Sequence, residues 1–213
     1  MSASLRHDAL PGQWLTEGWT LTLTQANACE RPSNIPTGSE SLAAPVPGTV
    51  AEALEKAGRF DRFDPKPLNH LDAWYRLTLE TAAPQSATVH FDGLATIADI
   101  YLNDEPIAHS ASMFEALEVD VTLSGTDELA ICFRALKPHL EKTGPRARWR
   151  PQMMSTQGLR LIRTTALGYM PGWCPEIHAG GPWRPIRLVR DGEKNFDLTA
   201  FATELTEDGV GIL

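Results

Sequence analysis

Five short segments between residues 74 and 136 alternate apolar and polar residues with a period of two. "WYRLTLET" sets Tyr75, Leu77 and Leu79 on one face. "TVHFDG" does the same with Val89 and Phe91, "ALEVDVTL" with Leu117, Val119, Val121 and Leu123, and "ELAICFRAL" with Leu129, Ile131 and Phe133. "IADIYLND" is a strand with mixed faces ending in a turn at Asn103-Asp104. Successive side chains of a strand point to opposite faces, so a period of two marks a strand with one face buried. Strands this short, separated by turn residues rather than by crossover helices, predict an all-β antiparallel sandwich. The 16 glycines and 16 prolines among 213 residues fit many turns and few long helices.

Upstream, "WLTEGWTLTLT" alternates Trp19, Leu21 and Leu23 with threonines, which predicts another half-buried strand. "TVAEALEKAG" predicts a helix over Thr49–Ala57. Thr49 and Glu52 form a capping-box pattern, Val50, Ala53, Leu54 and Ala57 share a face, and Gly58 sits at the left-handed C-terminal cap. From Lys137 to Gly168 the alternation disappears, and "LKPHLEKTG" and "MMSTQGLRLIRT" each read as a short helix. Strands resume at Ile186–Val189 and Phe196–Leu205. A hairpin turn is expected at Asp208-Gly209, and the few residues after it leave no room for a partner strand. That abrupt finish is read as a fragment of a longer protein.

A formal net charge of −8 argues against nucleic acid or an anionic membrane as partner. No run approaches the length of a membrane span, and "MSASLRHDALPGQW" has no apolar core of signal-peptide length, so the cytoplasm is the expected compartment. Three widely spaced cysteines, Cys29, Cys132 and Cys174, suggest neither a disulfide framework nor a zinc site. No cofactor is expected.

Four stretches in order, "VPGTVAEALEKAG", "WYRLTLE", "FDGLATIADIYLNDEPIAHSASMFEALEVDVT" and "GGPWRPIRLV", resemble the N-terminal sugar-binding domain of glycoside hydrolase family 2. Their arrangement is most similar to the β-mannosidases, and the resemblance covers roughly residues 14–190. It implies a jelly-roll, galactose-binding-domain-like sandwich with one or two short helices over residues 1–190. Residues 191–213 would then be a linker and the truncated start of an immunoglobulin-like domain. The resemblance also implies a later TIM barrel that carries the two catalytic glutamates of a retaining glycosidase. A barrel needs about 250 residues, and the two carboxyl groups must stand about 5 Å apart, so no catalytic residue is assigned to this chain. The implied partners are a β-mannoside-like glycoside, bound in the full-length protein, and that protein's C-terminal domains. A stand-alone carbohydrate-binding module and the structural domain of an inactive homologue are the alternatives.

The candidate binding residues lie in "GYMPGWCPEIHAGGPWRPIRLVR", residues 168–190. Prolines fix φ and remove donors, so this stretch suits neither a helix nor a central strand. Family relatives carry Trp-Asp-Trp-Gly-Pro here, in a loop that lines the sugar subsite. Aligned on "GGPWRP", Trp173 matches the second tryptophan and Pro175 the proline. Pro171, Gly172 and Cys174 stand where the first tryptophan, the aspartate and the glycine would be. Trp173 either stacks on a pyranose ring or plugs the end of the sandwich. Glu176 either binds a sugar hydroxyl or is an ordinary surface glutamate. Trp183 reads as an anchor of the incoming strand. His178 lacks partners at metal spacing, so no metal site is expected. Cys174 has no neighbouring base that would make it a nucleophile. "GPRARWRP", with Arg146, Arg148 and Arg150 around Trp149, reads as a solvated loop or a contact with further domains.

Overall fold

The alternating segments form two antiparallel sheets facing each other across one apolar core. The structure, a computed structural model, describes residues 11–142, 144, 151–193, 204–205, 208 and 211–212. In chain order these form β1 (Gln13–Trp14), β2 (Thr20–Gln25), β3 (Leu42–Ala43), α1 (Val50–Lys56), β4 (Leu71–Glu80), β5 (Gln85–Phe91), β6 (Ala98–Leu102) and β7 (Glu105–Ser110). There follow β8 (Leu117–Leu123), β9 (Thr126–Phe133), α2 (Lys137–Leu140), β10 (Ile186–Arg190), β11 (Glu204–Leu205) and β12 (Gly211–Ile212). The larger sheet runs β3-β2-β4-β9-β6-β7 and the smaller β1-β10-β5-β8. Every strand pairing in them is antiparallel. The expected all-β sandwich is the architecture found.

The period-two residues build its interior. Tyr75, Leu77 and Leu79 of β4 and Leu129, Ile131 and Phe133 of β9 lie in one core with Val89, Phe91, Ile186 and Leu188 of the facing sheet. The Tyr75 ring meets Phe133 edge-on at 5.4 Å. Each such buried side chain contributes about 1.5–3 kcal/mol relative to exposure.

The outer face of the larger sheet is also covered, which explains the mixed faces of "IADIYLND". Trp74, Tyr101, Ala130 and Cys132 form a second buried cluster with Cys29 of the β2–β3 loop. Asp72, fully buried, ties that loop down. It accepts hydrogen bonds from the Asn27 backbone at 2.9 Å, the Ala135 backbone at 2.7 Å and the Arg134 guanidinium at 3.1 Å. Arg134 also donates to Asp99 at 2.6 Å, to the Cys29 carbonyl at 3.0 Å and to the Tyr101 hydroxyl at 3.2 Å. All three cysteines are free thiols.

Helix α1 begins as expected, with the Thr49 hydroxyl accepting from the Glu52 backbone at 3.2 Å, and Gly58 follows it at φ +70°. The capping box is only half made: the Glu52 carboxylate turns instead to Lys56, at 2.8 Å. Strand β7 was not anticipated. It is an edge strand containing Pro106, which an edge tolerates. It turns back from β6 through Asn103 and Asp104 at φ 49° and 71°. Between β9 and β10 the described residues hold one turn of α2 and a 3₁₀ turn at Gln157–Leu161. Their small core is Leu136, Leu140, Leu159 and Tyr169. The residue after the expected last turn does find a partner: Gly211–Ile212 pairs with Glu204–Leu205. Residues 196–203 lie outside the described residues. Among the described residues no helix is long and apolar enough to cross a membrane.

Candidate functional site

The proline-rich stretch closes into a turn at one end of the sandwich. The Met170 carbonyl accepts from the backbones of Trp173 at 3.0 Å and Cys174 at 3.2 Å. Pro171 and Pro175 bracket that turn, limiting the freedom lost in holding it. Gly172 has φ +84°, in the left-handed region that favours glycine. Behind it, the Gly168 backbone donates to the Cys174 sulfur at 3.2 Å. A Cβ at Gly168, itself at φ +86°, would lie 2.4 Å from the Ile177 carbonyl, so only glycine fits.

Both ends of the stretch are fastened, the first by the Ser155 backbone, which donates to the Tyr169 carbonyl at 2.8 Å. The Val50 backbone, at the start of α1, donates to the Gly180 carbonyl at 2.8 Å, and the Gly48 backbone to the Pro182 carbonyl at 2.9 Å. Ala95 and Gly181 exchange a pair of backbone hydrogen bonds, each 2.9 Å. The Trp183 indole donates to the Met113 carbonyl at 3.0 Å, and Arg184 lies 4.4 Å over its ring. Trp183 is therefore the anchor expected.

Trp173 projects from this frame with 73% of its surface exposed, so within the described residues it plugs nothing. Glu176 is also exposed and lines an open depression of about 550 Å³. Asn69 and His70 from the loop before β4, Lys137 and Glu141 from α2 and its end, Tyr169 and His178 line it as well. Trp173 is not among the lining residues. The structure thus brings Glu176 and His178 together and leaves Trp173 on the turn beyond them. Arg146, Arg148, Trp149 and Arg150 lie outside the described residues.

The electrostatics of the depression centre on His178. Its ring rests against that of Tyr169, centroids 4.6 Å apart. Burial lowers the His178 pKa from its ordinary 6.5; Glu176 opposes this and His70 adds to it. Burial pushes the Tyr169 phenol up, with Asn69 pulling the other way. The Tyr169 hydroxyl is buried and has no hydrogen-bond partner among the described residues. Among the described residues no three His, Cys, Asp or Glu side chains converge to hold a metal.

Asn69, His70, Lys137 and Tyr169 escaped the reading of the sequence. They come from three segments far apart in the chain, and none sits in a periodic pattern. The one local signal was "PKPLNH", a proline-bounded loop leading straight into a central strand.

A family model described as glycosyl hydrolase 2 galactose-binding domain-like matches residues 19–184. Among curated proteins, beta-mannosidase B of Aspergillus niger is 28% identical over 165 residues, covering 67% of this chain and 19% of that protein. The beta-mannosidase of Mus musculus is 24% identical over 186 residues, covering 77% of this chain and 21% of that protein. This chain spans about a fifth of the length of such relatives. Among solved structures, the beta-D-mannosidase of Dictyoglomus thermophilum shares the fold with a TM-score of 0.63 at 21% identity, over 84% of this chain and 22% of that one. The GH2 beta-galacturonidase of Eisenbergiella tayi does so with a TM-score of 0.53 at 14% identity, over 97% of this chain and 30% of that one.

Proposed function

Because the chain belongs to the glycosyl hydrolase 2 galactose-binding domain-like family, we propose that it is the non-catalytic sugar-recognising sandwich of a longer, β-mannosidase-like glycosidase. In that protein the end carrying residues 168–180 meets the glycoside beside the catalytic domain, with Trp173 stacking on a pyranose ring and Glu176 accepting from a hydroxyl. Residues 191–213 lead into the next domain, an immunoglobulin-like one. The three free thiols, two of them buried, suit a reducing compartment such as the cytoplasm.

The observation that carries this reading is Trp173. An indole that is 73% exposed, on a turn bracketed by prolines and fastened at both ends, is preorganised for contact and contributes little to the core. Aromatic faces offer a sugar ring apolar contact at low conformational cost.

The test compares this chain with a polypeptide that continues beyond residue 213. Both are offered nitrophenyl β-mannoside, β-galactoside and β-glucuronide. The longer polypeptide is expected to release nitrophenol from the mannoside, and this chain from none. Turnover by this chain that disappears on replacing one of its own carboxylates overturns the reading.

A further inference from the structure

We infer that His178 is the hydrogen-bond donor that recognises a ligand hydroxyl at this end of the sandwich, and that the depression it lines selects neutral sugars over uronic acids. The inference rests on the sugar-recognising function proposed above. It deepens that reading by naming a binding residue and a class of sugar.

The geometry fixes which ring nitrogen carries the proton. The Leu68 backbone N–H points at His178 Nδ1 at 3.4 Å. A backbone N–H can only donate, so Nδ1 is the acceptor and the proton of the neutral ring sits on Nε2. Nε2 has no hydrogen-bond partner among the described residues, and it is not one of the occluded polar atoms. It is therefore an open donor on a ring that lines the depression. Stacking against Tyr169 holds the ring plane. Protonating Nδ1 would set one N–H against another, so the same contact disfavours the imidazolium, in line with the effect of burial.

The charges around the ring set the ligand class. Lining the depression together with His178 are Glu176 on its own loop, His70 from the loop before β4, Lys137 and Glu141 from α2 and its end, and the Tyr169 phenol. Two carboxylates stand against one ammonium. A neutral donor accepts a hydroxyl oxygen as partner, whereas a uronate brought here would meet the two glutamates without a compensating imidazolium. Like charges in a partly desolvated site disfavour each other.

The experiment is NMR on this chain. Imidazole ¹⁵N shifts report the tautomer of His178, and titration with methyl β-mannoside and with the corresponding methyl uronide reports binding. The expected result is an unprotonated Nδ1 and an Nε2–H signal that moves on adding the neutral glycoside. Affinity for the uronide should be about tenfold weaker. His178→Phe should cost about tenfold in affinity for the neutral glycoside, the loss of one hydrogen bond. His178→Gln, which keeps a donor in place of Nε2–H, should recover most of it. An Nδ1–H tautomer, or tighter binding of the uronide, overturns the inference, and neither result depends on a variant folding. If Trp173→Ala abolishes binding while His178→Phe leaves it unchanged, the inference falls and the reading of the turn stands. If this chain binds neither sugar, the inference falls, whereas the proposed function stands or falls with the turnover of the longer polypeptide.

Discussion

Gly172 shows how one position can be open in space and closed in conformation. A Cβ there would meet nothing within 4 Å, yet the backbone sits at φ +84°. An aspartate placed there would meet no clash but would strain the turn, at a cost of about 1 kcal/mol. Its neighbour Trp173 gives a sharper contrast. Since it is 73% exposed, Trp173→Ala should shift the chain's stability by no more than about 0.5 kcal/mol in urea denaturation. Ile131→Ala, at a fully buried position, should cost about 2–5 kcal/mol in the same assay. Two histidines contribute to the acid response. Burial lowers the pKa of both His178 and His139 from 6.5; Lys142 also lowers that of His139, while Asp72 opposes. Unfolded histidines take up protons first as the pH falls, so the stability these two contribute is present above about pH 6.5 and lost below it. The melting temperature should therefore fall between about pH 7 and pH 5, and His178→Phe should flatten that fall. A melting temperature that rises on acidification over this range would contradict the assignment.

At the scale of elements, the strands that the sequence shows clearly are those whose core face carries large apolar residues at every second position, even where the outer face of β4 and β9 is partly covered too. β4 and β9 carry Leu77, Leu79, Leu129 and Ile131 on the core side, and their alternation is plain. β6 is obscured because Tyr101 is buried on the opposite face under the β2–β3 loop. β7 has no fully buried residue and contains a proline, so no apolar pattern marks it. The Asp72–Arg134 clamp was invisible for a different reason. It joins Asn27, Asp72, Asp99 and Arg134, which only the sheet register brings together. Removing one partner of a buried pair strands the other, so Asp72→Ala should cost about 3–5 kcal/mol and free the β2–β3 loop to exchange its amides. An Asp72→Ala chain with wild-type stability would mean the loop is held by its apolar contacts alone. The lining of the depression was hidden by the same kind of distance, as Asn69, Lys137 and Tyr169 have no shared periodicity. The stretch containing Trp173, Glu176 and His178 could be singled out because prolines and glycines mark it locally.

At the scale of the molecule, the chain belongs to the glycosyl hydrolase 2 galactose-binding domain-like family and spans about a fifth of the length of beta-mannosidases it resembles. The proposed function assigns the chemistry to another domain and leaves contact and orientation to this one. The most direct test is the effect of Trp173→Ala on kcat/KM for nitrophenyl β-mannoside, measured in the polypeptide that continues beyond residue 213. Loss of a desolvated aromatic contact is worth about 1–3 kcal/mol, so kcat/KM should fall roughly 5- to 150-fold with the melting temperature unchanged. Unchanged kinetics with a lowered melting temperature would show Trp173 to be structural and would contradict the account.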